Sequence, residues 1–303
     1  MRTTLCFAAL FAAGLAPLAA APQPSGRLFA TPNEAAQALL DAAARNDTAA
    51  LLRIFGPGGR DIVDSGDPAE DAAARAHVVE LAHAKMDVTP EPGNPGRATL
   101  LVGPQDWPFP VPLIRYNGQW FFDAASGRLE ILARRVGRNE LTALDVFRGY
   151  VEAQLEYAAQ DRNADGVLQY AQKVVSSPGK KDGLYWEGEP GSMVPKSFAD
   201  AAAAMSPDAG KPVPYHGYFF RILKSQGPDA TGGEMDYLVH GKMIGGFALL
   251  AYPADYGVSG IKTFLVAHQG IVYEKDLGAA TAVLARQIVR YNPGKTWKPV
   301  GGE

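Results

Sequence analysis

Cysteine is almost missing from this 303-residue chain. The only one, Cys6, lies in an apolar stretch at the N-terminus. That excludes a disulfide framework and any site built on paired thiolates. Histidine is scarce too, with His77, His83, His216, His240 and His268. None has a second His or Cys at ligand spacing, which argues against zinc. The formal net charge is −3, so no general attraction to nucleic acid is expected. After the first stretch no apolar run approaches membrane-spanning length. The Gly-x-Ser-x-Gly elbow, the P-loop and the dinucleotide fingerprint are absent. What is present is an ordinary globular composition, 47% hydrophobic and 20% charged. The 33 glycines and 23 prolines suit short strands and turns.

The N-terminus sets the expected compartment. Arg2 precedes an apolar run from Leu5 to Leu18, and Ala19, Ala20 and Ala21 follow. This pattern predicts a signal peptide over residues 1–21 and a periplasmic or secreted protein. Cys6 leaves with that peptide, and no transmembrane segment is expected after cleavage.

The remaining length suits two α+β domains, residues 22–136 and 137–303. In the first, Thr31 caps a helix with Pro32 at its first position and Glu34 three residues on. A second short helix covers 48–55, and a third covers 69–85 with Val78, Val79, Leu81 and Ala82 inward. Strands follow at 97–102, 111–116 and 119–123, the last two joined by the hairpin signal Asn117-Gly118. Helices followed by an antiparallel meander define α+β. Trp107, Phe109 and Trp120 have two readings: they line a small-molecule pocket, or they are core and rim residues.

The second domain is organised around a long helical pattern. Residues 127–138 form a helix ending in Arg134, Arg135 and Arg138, where cations suit a C-terminus. Gly137 breaks it, and Asn139 caps the next helix, 140–160. A buried stripe is expected at Leu141, Leu144, Phe147, Val151, Leu155 and Ala158. Glu152 and Glu156 form a solvated face. A helical turn at 167–176 and a short helix at 197–205 come next. Strands are expected at 215–224, 234–239, 247–252, 261–268 and 271–275. A helix closes the chain to residue 291, with Val283, Leu284 and Ile288 inward.

One loop carries ligand-like spacing. Asp161, Asn163 and Asp165, with Gly166, match positions 1, 3, 5 and 6 of an EF-hand loop. A tight loop turns alternate side chains toward one centre, and hard oxygens suit calcium. Val167 would add a carbonyl, Gln169 could hold a water, and Gln172 stands where a bidentate Glu is usual. The other reading is a helix-terminating Asx turn that binds nothing. His216, beside Tyr215 and Tyr218, is the best-placed histidine for acid–base work, against a structural imidazole as the default.

The stretches 47–51 and 116–121 resemble the cone-shaped nuclear transport factor 2-like fold, which implies a pocket between helix and sheet. Residues 151–158, 217–220 and 263–272 resemble the globular domains of pilins and pseudopilins. That likeness implies a long helix packed on an antiparallel sheet. Across the chain, 107–113, 137–141, 161–166 with 170–172, 177–186, 214–218 and 243–247 look like the exported bacterial family known as domain of unknown function 2950. Two functions are therefore expected. The first is a non-catalytic envelope protein that binds a protein partner or a surface polymer, with calcium as a candidate ligand. The alternative is a small-molecule-binding or enzymatic domain with a pocket near Trp107 and Trp120.

Overall fold

The structure, a computed structural model, describes residues 23–64, 66–162, 164–204 and 212–301. The expected signal peptide lies outside these residues, and so does Asn163. The described chain is α+β with antiparallel sheets, and it divides into two compact units, 1–130 and 131–303.

In the first unit the elements are α1 (Pro32–Ala44), α2 (Thr48–Phe55), α3 (Arg60–Val63), α4 (Pro68–Ala84), β1 (Met86–Glu91), β2 (Asn94–Val102), β3 (Trp107–Pro108), β4 (Leu113–Tyr116) and β5 (Gln119–Phe122). The Thr31 hydroxyl accepts the Glu34 N–H at 3.1 Å, and the Glu34 carboxylate accepts the Ala30 N–H at 3.2 Å. This reciprocal cap fixes where α1 begins. Asn117 and Gly118 both take positive φ, and Tyr116 pairs with Gln119, which makes the two-residue hairpin that their sequence predicts. The sheet runs β1-β2-β4-β5, with β3 also on β2. Strand β1 was not expected. Its residues are nearly all exposed, so no apolar alternation marks it. Of the residues expected inside α4, only Ala82 is fully buried, while Val78, Val79 and Leu81 are half-buried.

Helix α5 (Ala124–Ala158) begins on Asp123, whose carboxylate accepts the Ala125 and Ser126 N–H groups. It continues through Gly137, so the expected break there does not occur, and Arg134, Arg135 and Arg138 do not end a helix. Asn139 and Glu140 serve tertiary contacts instead of a cap. The Asn139 amide donates to the Ser259 carbonyl at 2.9 Å, and Glu140 accepts the Ile261 and Lys262 N–H groups.

The second unit continues with α6 (Lys196–Ala204), β6 (Tyr218–Leu223), β7 (Ser225–Gln226), β8 (Met235–Asp236), β9 (Leu238–Val239), β10 (Lys242–Met243), β11 (Ala248–Pro253), β12 (Lys262–Ala267), β13 (Val272–Asp276), α7 (Thr281–Gln287) and β14 (Lys298–Pro299). The main sheet has the order β14-β13-β12-β11-β6. Phe147 of α5 meets Phe220 and Phe264 edge-on, at 6.4 and 6.3 Å between ring centroids, which seats the helix on one face of that sheet. Helix α7 packs against β11, and its Thr281 and Ala285 are fully buried. Strand β11 is therefore buried along nearly its whole length rather than at alternate residues.

The α5 stripe is rotated from its expected phase. Ala143, Phe147, Tyr150, Ala153, Gln154 and Tyr157 are buried, whereas Leu141 and Leu155 are 64% and 51% exposed and Val151 is half-buried. The tyrosines and the glutamine turn inward because each polar atom finds a partner there, as detailed below. Three further expectations are corrected. Residues 167–176 are not helical, and Val175 instead bridges Tyr185. The strand expected at 234–239 is two short ladders separated by buried Tyr237. The closing helix is only Thr281–Gln287, and Val283 and Leu284 point outward at 60% and 39% exposure.

Candidate binding cleft beside the Asp161 loop

The cleft is built from the end of α5 outward. Gln154 is fully buried and clasps the amide of Ala171 on both sides. Its side-chain N–H donates to the Ala171 carbonyl at 2.9 Å, and its side-chain oxygen accepts the Ala171 N–H at 2.8 Å. The same amide nitrogen donates to the Tyr150 hydroxyl at 2.9 Å. A buried amide satisfied in this way pins the segment after the loop against the helix. Burial holds the Tyr150 hydroxyl well above the usual tyrosine range. The Tyr157 hydroxyl donates to the Lys181 carbonyl at 2.8 Å, and burial, followed by the charge of Asp182, pushes its pKa up to about 12.

The acidic loop closes on its own backbone. Asp161 accepts the Asp165 N–H at 3.3 Å and the Gly166 N–H at 2.8 Å. Asp165 accepts the Val167 N–H at 3.1 Å and the Gln169 amide at 3.2 Å, and the Lys242 ammonium stands 3.2 Å from its carboxylate. Gln172 turns away from the loop and donates to the Gly241 carbonyl at 2.6 Å. Of the residues expected to bind calcium, Asp161 and Asp165 thus meet at the loop, Val167 supplies an N–H to it, and Gln169 is tied to Asp165. Asn163 lies outside the described residues. The Lys242 ammonium already pairs with one of the two carboxylates, Asp165. Among the described residues no group of three or more His, Cys, Asp or Glu is placed to hold a metal.

The segment after the loop, together with Asp182 of the 177–186 turn and Lys224, borders an open cleft of about 320 Å³ that is lined in part by Gln169, Tyr170, Gln172 and Lys173. Lys173 bridges to the Asp182 carboxylate at 2.8 Å and donates to the Ser177 hydroxyl at 2.6 Å. Burial opposes ionisation of Asp182. The Lys173 ammonium and the Ser177 N–H outweigh it and hold the carboxyl below its ordinary value. The Tyr170 N–H donates to the Met243 carbonyl, and its ring lies edge-on to Phe247 at 4.8 Å. Behind the turn, Trp186 is buried under Lys181 and Arg162, whose charged groups lie 4.4 and 5.4 Å from its ring centre.

A family model described as protein of unknown function (DUF2950) matches residues 26–300. The chain belongs to this family. No curated protein and no solved structure matches, so the likenesses to pilins and to nuclear transport factor 2 find no support there. Several of the stretches that mark the DUF2950 resemblance come together here. Tyr170 and Gln172 line the cleft with Asp182 of the 177–186 turn, and Tyr170 contacts Met243 and Phe247.

The other candidate sites do not assemble. Trp107 pairs with Val102 at one end of β2. Trp120 pairs with Arg115, one step beyond the Ile114–Arg97 pair toward the other end. The register therefore keeps the two tryptophans apart. The interior of this unit is filled, with Phe122 meeting both Phe55 and Phe109 edge-on and Leu100 and Leu113 fully buried. His216 has a positive φ of 45° and lies edge-on to Tyr215, and no carboxylate among the described residues pairs with it. Glu152 and Glu156 are exposed, as their spacing predicts. Sequence reasoning missed Gln154, Tyr157, Lys173, Asp182 and Lys224. The one available signal was the Tyr150, Gln154, Tyr157 spacing, which places three amphipathic side chains on one helical face.

Proposed function

We propose that this DUF2950 protein is exported to the periplasm or beyond and acts without catalysis, as an envelope protein whose 131–303 unit binds a surface polymer. The observation that carries the reading is the polar cleft at the end of α5, a concave site with several fixed hydrogen-bonding groups. Two further observations favour binding over chemistry. The 1–130 unit has a filled interior, and no histidine among the described residues is paired with a carboxylate and a nucleophile in the arrangement that hydrolysis needs. The N-terminal apolar run followed by three alanines supports export. Among the described residues no helix is long and apolar enough to cross a membrane.

The test has two arms. Fractionation of cells and intact-mass measurement of the recovered protein should find it outside the cytoplasm and lacking residues 1–21. Co-sedimentation with purified cell-surface polymer should retain it in a saturable way. Recovery in the cytoplasm with the N-terminus intact would overturn the export reading. Turnover of an ester or phosphate ester that His216→Ala abolishes would overturn the non-catalytic one.

A further inference from the structure

Within the cleft the charges are unevenly matched. Asp182 is neutralised by Lys173 at 2.8 Å, and its carboxylate also accepts the Ser177 N–H. Lys224 lines the same cleft, is exposed, and has no hydrogen bond or ion pair to a described residue through its side chain. Its backbone is fixed, because its carbonyl accepts the Tyr237 N–H at 2.9 Å just after β6. The cleft therefore holds one ammonium in excess. The other groups suit hydroxyls. One Gln172 side-chain N–H donates to Gly241, which leaves the other to donate and the side-chain oxygen to accept, and the Tyr170 hydroxyl has no partner among the described residues. Tyr170 is itself held by Met243 and Phe247, so it costs little entropy to order. A volume of about 320 Å³ exceeds what a bare inorganic anion fills and falls at the small end of ligand pockets, about 300–1,000 Å³.

We propose that this cleft binds a carboxylate-bearing sugar residue, with Lys224 taking the carboxylate and Gln172 and Tyr170 the hydroxyls. The proposal rests on the polymer-binding reading above and narrows it to one ligand chemistry and one site. A uronic acid and a muramic acid both present that chemistry.

The experiment is calorimetric titration of the purified full-length protein with tetragalacturonate and, separately, with the N-acetylglucosaminyl-N-acetylmuramic acid disaccharide. Each is paired with its carboxyl-reduced counterpart. At least one of the two acids should bind, and its reduced form should bind at least about tenfold more weakly, as the loss of a charge-assisted hydrogen bond implies. The two titrations tell the carboxylate sources apart. Lys224→Gln, an exposed change that leaves the backbone contacts intact, should lose about tenfold toward the acid and little toward the reduced sugar. Lys295→Gln, the same charge loss at an exposed turn outside the cleft lining, should bind as the wild type does. Equal affinity for acid and reduced sugar, an unaffected Lys224→Gln, or no binding of either acid would overturn the proposal. Retention of purified surface polymer by wild type and Lys224→Gln alike would leave the polymer reading standing and remove this cleft from it. No retention by the wild type would end both.

Discussion

Phe147 offers the sharpest check on the architecture. Its ring is fully buried and meets Phe220 and Phe264 edge-on, from two different strands of the main sheet. Truncation to alanine removes the packing of α5 on that sheet and leaves a cavity walled by aromatic rings. A Phe→Ala change at such a site costs about 3–5 kcal/mol, transfer and cavity terms together. For a cooperative unit of this size about 1 kcal/mol corresponds to 2–4 °C, so Tm should fall by roughly 6–20 °C. Scanning calorimetry is the suitable assay, because it resolves separate transitions where two compact units unfold independently. Leu155→Ala on the same helix is the internal comparison. Leu155 is 51% exposed, so its loss should stay within about 0.5 kcal/mol. A Phe147→Ala loss near zero, or a Leu155→Ala loss above about 2 kcal/mol, would show that the helix presents its other face to the sheet.

Three further outcomes are expected. Gly149→Ala should stabilise the protein by about 0.5–1 kcal/mol in urea unfolding, since Gly149 lies within α5 and nothing within 4 Å meets the added methyl. A loss would mean that the helix is interrupted there. His268 is held below the ordinary histidine range by burial, with its Nδ1 buried and unbonded between the Tyr237 and Phe247 rings. The folded state thus binds that proton less readily than the unfolded chain. Stability from this group should be complete above the unfolded value of about 6.5 and should decline as pH falls below it. Melting curves between pH 7.5 and 5.5 should show the decline in the wild type and a flatter profile in His268→Gln, and parallel profiles would refute the assignment. Calcium should stabilise Lys242→Met more than wild type in thermal melts at millimolar concentration, because the Lys242 ammonium competes for Asp165. Equal shifts in both proteins, or a shift that survives Asp161→Ala, would remove the ion from the loop.

Local signals were legible and long-range ones were not. The Thr31 cap and the Asn117-Gly118 turn act over a few residues, so the sequence alone displays them. The phase of α5 was misread because leucines weigh more than tyrosine and glutamine on any hydrophobic scale. Tyr150, Gln154 and Tyr157 go inside only because Ala171 and Lys181 supply partners from distant stretches. For the same reason the cleft itself was not visible. The Asp161 loop stands out by its spacing, whereas Lys173, Asp182 and Lys224 acquire meaning only when the fold brings them together. Strand β1 escaped notice because an exposed strand at the side of a sheet needs no apolar residues.

The main sheet ends on one side at β14, where Tyr273 pairs with Pro299 and Glu274 with Lys298. Proline has no N–H to offer a further strand, and a lysine beside it resists stacking with a like copy. These two residues therefore act as a stopper against fibril-like growth. A truncation or fusion that removes them would bare the ladder groups of β13, so handling of the C-terminus in expression would decide whether the protein stays dispersed or self-associates.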